Sequence, residues 1–294
     1  MGNRGSNSHN GGGSDFSGVQ RFLRSSFNRS QANAMMSALM NAPKLIQDLW
    51  IEYASQFRFE ENTTGDAYYS PLLDKVTFQT NVVINGDVVH APMTTAFHEF
   101  GHMTDYLIAA SHGVMHRRDS YSEYYGRDSG AGIRTGLLAY TAKKEIETAL
   151  ISVGRNVASE LQSTWARHPS LRDPSVDFSN LETLRSLGAS RFLDAIKQDN
   201  ARNRYRMSDF GDLSDILEGT GFFEEYPLGV GHGKDYWKNR DPSKEIYAEF
   251  SSAVATESST RSLEVLNKYL PETYKVFLQM NAERKSWIPP WKRR

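Results

Sequence analysis

The segment "TTAFHEFGHMTDYL", residues 94–107, constrains the fold of this chain more than any other. Its two histidines, His98 and His102, are four residues apart. Residues at this spacing share one face of an α-helix, with Cβ atoms roughly 5–6 Å apart, so both imidazoles can point at one metal ion. If the segment binds zinc, it must be helical, and the rest of the chain must bring a third ligand to it.

Composition narrows the choice of that ligand. The 294 residues include no cysteine, which excludes disulfides and thiolate sites, so any metal must be held by His, Asp or Glu. The net charge of −1 provides no bulk attraction to nucleic acid or anionic lipid, and we expect neither as a partner. We also expect no Sec signal peptide and no transmembrane segment, because neither apolar pattern is present.

The pattern of the first 110 residues predicts an arm, helices and a small sheet. Residues 1–18 are rich in Gly and Ser and predict a flexible arm, and residues 19–294 form one predicted domain. The expected elements are a helix capped by Ser30 and split at Pro43, strands at 67–70 and 75–79, an Asn-Gly-Asp turn between apolar pairs in 81–92, and a motif helix from Pro92 to about Ala110.

The remainder of the chain reads as mostly helical. We expect a long loop over 113–140, a helix over 141–167, another after a capping box formed by Ser179 and Glu182, a short helix ending at Gly219, a glycine-punctuated loop over 222–237, and three final helices. The predicted fold class is therefore α+β, with a small sheet before the motif helix and a large helical segment at about 113–205 in the middle.

The third ligand is predicted in "KEIYAEFSSA", where Glu245 and Glu249 are again four apart. Two solvated glutamates on an amphipathic helix are the alternative interpretation. Beside a two-histidine motif, however, Glu245 would complete a His₂Glu site for one Zn²⁺ per chain. Glu249, one turn further on, could accept the second ring N–H of a ligating histidine.

Three further residues of the motif helix have predicted roles. Glu99 lies one step round from the histidines, where it can border the metal and act as a general base. Asp105 is a candidate for supporting the ligands from behind, or else a surface carboxylate. Gly101 costs about 1 kcal/mol in a helix interior, so we expect a strand or a substrate to cross the helix closely there.

These motifs together resemble the gluzincin metallopeptidases. "HEFGH" with Asp105, followed by "EIYAEF", is most similar to the lethal-factor type, over roughly residues 66–110 and 208–285. The resemblance implies a zincin-like domain with His98, His102 and Glu245 as zinc ligands and Glu249 behind them. It leaves about 113–205 as an insertion, which we expect to form one wall of the cleft.

A second resemblance concerns the C-terminal half. "LSDILEG", "GVGHGKDYW" and "LPETYKVF" resemble metallopeptidase-like segments on minor head proteins of tailed bacteriophages. That likeness implies phage or mobile-element encoding, phage head components as partners, and a cytoplasmic or virion-associated location.

The loop before Glu245 supplies candidate donors for a developing oxyanion. His232 and Tyr236 lie nine to thirteen residues before the predicted ligand, and either could donate a hydrogen bond there. Tyr236 is favoured because lethal-factor-type enzymes place a Tyr shortly before the third ligand. The alternative is a loop in which both rings merely pack. His9, His90, His112, His116 and His168 are expected to have no role in the site.

The predicted function is hydrolysis of peptide bonds by a zinc endopeptidase, with a protein or peptide as substrate. Two alternatives remain open at this point. One is a catalytically silent phage head or morphogenesis protein that keeps the fold, although Glu99 would then have no purpose. The other is an effector toxin that cleaves a host protein.

Overall fold

The computed structural model describes residues 15–63, 67–87, 90–114, 119–127, 135–238 and 240–292. The predicted arm, His9, His116, Val88 and Val89 lie wholly or mostly outside them. The first described helix begins at Ser17, one residue before the predicted end of the arm at Gly18. Among the helices of the described segments, none combines the length and apolar character needed to cross a membrane.

The N-terminal part of the described chain is three helices, a small sheet and a fourth helix. In chain order they are α1 (Ser17–Ser26), α2 (Arg29–Asn41), α3 (Lys44–Tyr53), β1 (Phe59–Glu61), β2 (Tyr68–Ser70), β3 (Lys75–Phe78) and α4 (Thr80–Asn85). The predicted split at Pro43 is confirmed. The cap of α2 is Asn28 rather than Ser30, because Asn28 and Gln31 form a reciprocal capping box.

The sheet has the strand order β1-β3-β2, with β1 parallel and β2 antiparallel to β3. The two predicted strands are confirmed as β2 and β3, whereas β1 was not predicted. The first apolar pair expected before the Asn-Gly-Asp turn lies in a helix, α4, and the second, Val88 and Val89, lies outside the described residues. Glu61 accepts hydrogen bonds from the Thr80 amide at 3.1 Å and hydroxyl at 2.9 Å, which starts α4 instead. Gly86, with φ of 75°, then ends that helix.

The rest of the chain is helical. The elements are α5 (Thr94–Ser111), α6 (Tyr121–Tyr124), α7 (Leu137–Arg167), α8 (Leu181–Asn203), α9 (Gly211–Gly219), α10 (Lys234–Trp237), α11 (Ser243–Ala255), α12 (Ser262–Tyr269) and α13 (Pro271–Glu283). The loop predicted over 113–140 is interrupted by α6. The cap of α8 is Asn180, which accepts a hydrogen bond from the Glu182 amide at 2.8 Å, whereas Ser179 bonds Asp177. The α+β class with a small sheet before the motif helix is confirmed.

An aromatic cluster packs against the face of the motif helix α5 that is opposite the two histidines. Phe100 is fully buried, and its ring lies 5.5 Å from Phe22, 5.0 Å from Trp50, 5.0 Å from Phe57 and 6.3 Å from Phe78, measured between centroids. Aromatic pairs at these separations contribute about 0.5–1.5 kcal/mol each beyond the area they bury. The cluster fixes the rotation of α5, so that the opposite face, with the two histidines, is directed away from it.

Helix α11 packs directly across α5, and Gly101 makes this possible. A Cβ atom on Gly101 would lie 3.0 Å from the Ser251 Cβ and 3.2 Å from the Ala248 Cα. The predicted close neighbour is therefore present, but it is a helix rather than a strand or a substrate. Ser252 also donates a hydrogen bond to the Thr94 carbonyl at 2.9 Å. Small residues at this crossing bring Glu245 and Glu249 next to the motif helix.

Candidate metal centre

Three side chains on α5 and α11 converge on one point. The Nε2 atoms of His98 and His102 are 3.1 Å apart, and they lie 3.5 Å and 3.3 Å from the Oε2 atom of Glu245. Around a tetrahedral Zn²⁺ with bonds of roughly 2.0–2.2 Å, neighbouring ligand atoms are about 3.3–3.5 Å apart. The three atoms therefore have the mutual spacing of ligands to one ion, and this buried group could hold a metal.

The chemistry of these atoms also fits a cation. The Oε2 atom of Glu245 is buried and has no hydrogen-bond partner among the described residues. If both facing imidazole nitrogens carried protons, the two N–H groups would repel each other. A buried carboxylate oxygen without a hydrogen-bond partner also costs free energy. One divalent ion would satisfy all three atoms at once.

The charges of the site depend on each other. Burial raises the pKa of Glu245, but the nearby His102 and His98 outweigh it and hold that pKa well below its ordinary value. Burial likewise lowers the pKa of His98, while the charge of Glu249 and the contacts with both glutamates hold it well above its ordinary value. The cluster thus attracts positive charge to its centre.

Glu249 takes the position predicted for it. Its Oε2 atom lies 3.4 Å from the Nδ1 atom of His98, the ring nitrogen that does not face Glu245. A carboxylate at this position accepts a hydrogen bond from Nδ1–H, which leaves the lone pair of Nε2 directed at the metal position. Burial raises the pKa of Glu249 well above its ordinary value, and the adjacent Asp212 adds to that shift.

Glu99 borders the ligands but does not join them. Its side chain is buried and lines the same cavity as the histidines. Burial raises the pKa of Glu99, although His98 and His102 oppose the shift and the Tyr69 amide donates a hydrogen bond to the carboxylate. A carboxylate with a raised pKa next to a metal position is suited to accept and return a proton.

Asp105 lines the same cavity, but its hydrogen bonds link it to α6. Its two carboxylate oxygens accept hydrogen bonds from the Ser122 amide at 2.7 Å and hydroxyl at 2.5 Å. These bonds fasten α6 to α5 beside the cavity. These contacts make Asp105 an anchor for the segment that precedes α7. Among the described residues, no hydrogen bond or ion pair joins Asp105 to a predicted ligand.

His232 and Tyr236 both reach the site. The Tyr236 hydroxyl donates a hydrogen bond to the Oε1 atom of Glu245, and its ring stacks on that of His232 with centroids 4.1 Å apart. His232 Nδ1 lies 2.9 Å from the Oδ1 atom of Asp215. Burial lowers the pKa of His232, but the hydrogen bond and charge of Asp215 outweigh it and raise that pKa. Both rings line the cavity.

Sequence reasoning missed the acidic face of α9, which supports the site from behind. Asp212 is a hydrogen-bond partner of Glu249 and accepts from the Ser262 hydroxyl, while Asp215 holds His232. Glu218 accepts hydrogen bonds from the amides of His232 at 3.0 Å and Gly233 at 3.2 Å. The available signal was the spacing of Asp212, Asp215 and Glu218 at every third residue on one helix face, close to the glycine-rich loop.

The centre opens into a cavity of about 1090 Å³. Its walls come from β2, α4, α5, α9, the loop at 226–232 and the start of α11. In the described part of the 113–205 segment, only Asp119 and Ser120 line it. The expectation that the helical insertion forms one wall is wrong for its two long helices: α7 and α8 do not line the cavity, and α7 packs on α8, α11 and α13 instead. His90, which was assigned no role, does line the cavity.

Two of the other described histidines, His112 and His168, lie outside the centre. The Nε2 atom of His112 lies 2.7 Å from the Arg284 carbonyl, and His168 ends α7.

Comparison of the chain with protein-family models, with curated proteins and with solved structures gave no match. The geometry by itself defines a candidate three-ligand metal centre at the floor of an open cleft.

Proposed function

We propose that this chain is a zinc-dependent endopeptidase with a zincin-like fold of the gluzincin type. The observation that carries the proposal is the tetrahedral spacing of the His98, His102 and Glu245 ligand atoms, with a separate buried carboxylate, Glu99, at their side. A purely structural zinc site has four protein ligands and needs no base, whereas three ligands beside a cleft leave room for substrate and water.

Glu99 is the proposed general base. Zinc bound to the three ligands would polarise the peptide carbonyl and acidify the attacking water. Glu99 accepts a proton from that water and later gives it to the leaving amine, a sequence that needs a carboxyl group with a raised pKa. The Tyr69 amide holds the carboxylate in place through a hydrogen bond.

Tyr236 and His232 are the proposed oxyanion donors. Tyr236 lies against Glu245, so its hydroxyl is next to the metal position and can turn to the substrate oxygen. Asp215 binds Nδ1 of His232 and thereby leaves Nε2 available as the second donor. The raised pKa of His232 favours the protonated ring, which donates from both nitrogens.

The shape of the cleft supports a peptide as substrate. Strand β2 is at the edge of the sheet, and Tyr68 and Tyr69 line the cavity beside α5. The Tyr69 amide is engaged by Glu99, but carbonyl groups on the open side of an edge strand can accept hydrogen bonds from an extended peptide that adds as a further strand. The position of β2 next to Glu99 would bring the backbone of such a peptide to the metal.

The test combines metal content with hydrolysis. Elemental analysis of the dialysed protein should find close to one zinc per chain in the wild type and in Glu99→Gln, and none in His98→Ala. Cleavage of an unfolded protein mixture, followed by mass spectrometry, should fall by at least about 10³-fold in Glu99→Gln. Glu147→Gln, on α7 away from the cavity, is the matched control and should retain both properties.

Two outcomes would redirect the proposal. Absence of zinc from a folded wild-type sample, even after zinc is supplied, would end the metallopeptidase interpretation. Stoichiometric zinc without hydrolysis of any peptide would favour the structural alternative, a silent morphogenesis protein of the kind that the sequence resembles.

A further inference from the structure

We propose that Arg240 is a specificity-determining residue that binds a carboxylate of the peptide substrate. This inference rests on the proposed function and adds a substrate class to it. Arg240 lies five residues before Glu245 and lines the cavity. Its guanidinium carbon is 3.9 Å from the centroid of the Tyr236 ring.

The guanidinium group has no acidic partner among the residues that the structure describes. Among the residues that the structure describes, Arg240 forms no ion pair and donates no side-chain hydrogen bond. The adjacent Asp241 is occupied elsewhere, since it accepts from the Arg127 guanidinium at 2.9 Å and from the amides of Gly136 and Ser243. The charge of Arg240 is therefore left for a molecule in the cleft.

The acidic groups of the cleft are occupied as well. Asp215 binds His232, Asp212 contacts Glu249, and Asp87 lies 3.3 Å from the His90 ring. Lys244, the other lining residue with a long cationic side chain, is 3.0 Å from Glu123. Arg240 thus differs from Lys244, the other long cationic side chain of the lining, in having no charged partner among the described residues.

The stacking of Arg240 on Tyr236 fixes where a carboxylate would bind. A guanidinium over an aromatic face is partly ordered before binding, and its free N–H groups can form two parallel bonds to a carboxylate. The Tyr236 hydroxyl donates to Glu245, so the Tyr236 side chain lies between Arg240 and this candidate ligand. A peptide advances about 3.3–3.6 Å per residue, so we expect the carboxylate one or two residues from the bond to be cut.

A set of peptide hydroxamates tests this inference without turnover. The compounds extend to either side of the zinc-binding group and carry Glu or the isosteric Gln at each of the two nearest positions, with free or amidated C-termini. On the zinc-loaded protein, one Glu compound or one free-carboxylate compound should bind about tenfold more tightly than its neutral partner. In Arg240→Gln, that ratio should fall to about one while the affinity of the neutral compound is unchanged.

Lys238→Gln is the matched control, because it removes a positive charge two residues away on a side chain that pairs with Asp235 outside the cavity. It should leave the ratio unchanged. A preference for a Glu compound would identify a side-chain carboxylate, and dependence on a free C-terminus would identify the terminal one.

Three results would overturn the inference. One is equal binding of acidic and neutral compounds to the wild type. Another is an equal loss of affinity for both compounds in Arg240→Gln, which would mean that Arg240 only supports Tyr236. In either case, zinc-dependent binding of the neutral compounds would leave the proposed function standing. Failure to retain zinc at all would remove both proposals, and elemental analysis separates that case.

Discussion

Two helix pairs, α5 with α11 and α7 with α8, are both packed through glycine, yet they differ in what they bury. At the α7–α8 crossing, a Cβ on Gly154 would lie 1.9 Å from the Leu184 carbonyl oxygen, and the buried residues are apolar or glycine. The α5–α11 pair buries four carboxylic side chains, Glu99, Asp105, Glu245 and Glu249.

The two helix pairs differ in the groups at their interfaces: one buries apolar side chains, and the other buries ionisable ones. Charged groups on α7 and α8 pair at the surface, as in Arg191 with Glu160 at 3.0 Å. Buried carboxylates cost stability unless a counter-charge or hydrogen bonds accompany them. Asp105 has its two bonds from Ser122, whereas Glu245 has an oxygen with no hydrogen-bond partner in the described structure. We infer that the α5–α11 pair reaches its full stability only with a cation between the helices.

The largest effect should follow from removing a ligand. His102→Ala should weaken zinc binding by roughly 10³-fold, since the apparent binding energy of about 10–16 kcal/mol is shared by a few ligands. It should also abolish the rise in Tm that zinc gives the wild type. Titration with a competing chelator measures the affinity. His168→Ala, at the end of α7, should keep wild-type affinity, and a comparable loss there would erase the distinction between the two helix pairs.

A methyl group added at the α7–α8 crossing should lower the free energy of unfolding without affecting metal binding. In Gly154→Ala, the new methyl overlaps the Leu184 carbonyl, so the helices must separate, at a cost of about 3 kcal/mol. Urea unfolding should detect this loss while zinc content stays at one per chain. Gly101→Ala, where the nearest atom is 3.0 Å away, should cost about 1 kcal/mol. Loss of zinc from folded Gly154→Ala would show that the pairs are coupled.

Replacing Glu249 should weaken the metal site by an intermediate amount. Glu249→Gln keeps a side chain of the same size beside His98 but replaces the carboxyl group that faces its Nδ1 atom, and loss of such support typically reduces metal affinity 10–100-fold. Chelator competition provides the measurement, with Glu145→Gln on α7 as the control. An affinity equal to that of the wild type would assign Glu249 to packing alone.

The smallest effect concerns Asp105 and pH. Burial raises the pKa of this carboxyl to about 7, although the Ser122 bonds oppose the shift. Because the folded pKa exceeds the ordinary value of 3.8, its contribution to stability is present at low pH and is lost as pH rises through about 7. Asp105→Asn retains an acceptor and should change stability at pH 5 by only about 1 kcal/mol.

Urea unfolding at pH 5 and pH 8, with a chelator present, checks this expectation. The decrease in unfolding free energy between the two pH values should be smaller in Asp105→Asn than in the wild type. Equal decreases would mean that Asp105 is ionised throughout the range and that its charge is balanced within the α5–α11 pair.

The sequence predicted the two helices of the site well because their signals are local. His98 with His102, and Glu245 with Glu249, each occupy one helix face, and the helical period is set within a few residues. The joining of these faces was inferred from chemistry, since two imidazoles need a third ligand. The structure brings the same three predicted ligands together.

What the sequence did not reveal depends on contacts between distant residues. Asp212 reaches Glu249 and Asp215 reaches His232 only after α9 packs beside α11, so the spacing of the acidic residues on α9 does not identify their partners. Similarly, α4 was predicted as part of a turn because its helical start depends on Glu61, which lies 19 residues earlier. The role of Arg240 also depends on neighbours that only the fold supplies.

The division of the ligands between α5 and α11 also has a consequence for biosynthesis. His102 and Glu245 are 143 residues apart, and contacts of such separation form slowly because a long loop must close first. A chain emerging from the ribosome carries both histidines and the proposed base Glu99 long before it carries Glu245. The three candidate ligand atoms therefore come together only when the C-terminal helices have folded against the motif helix.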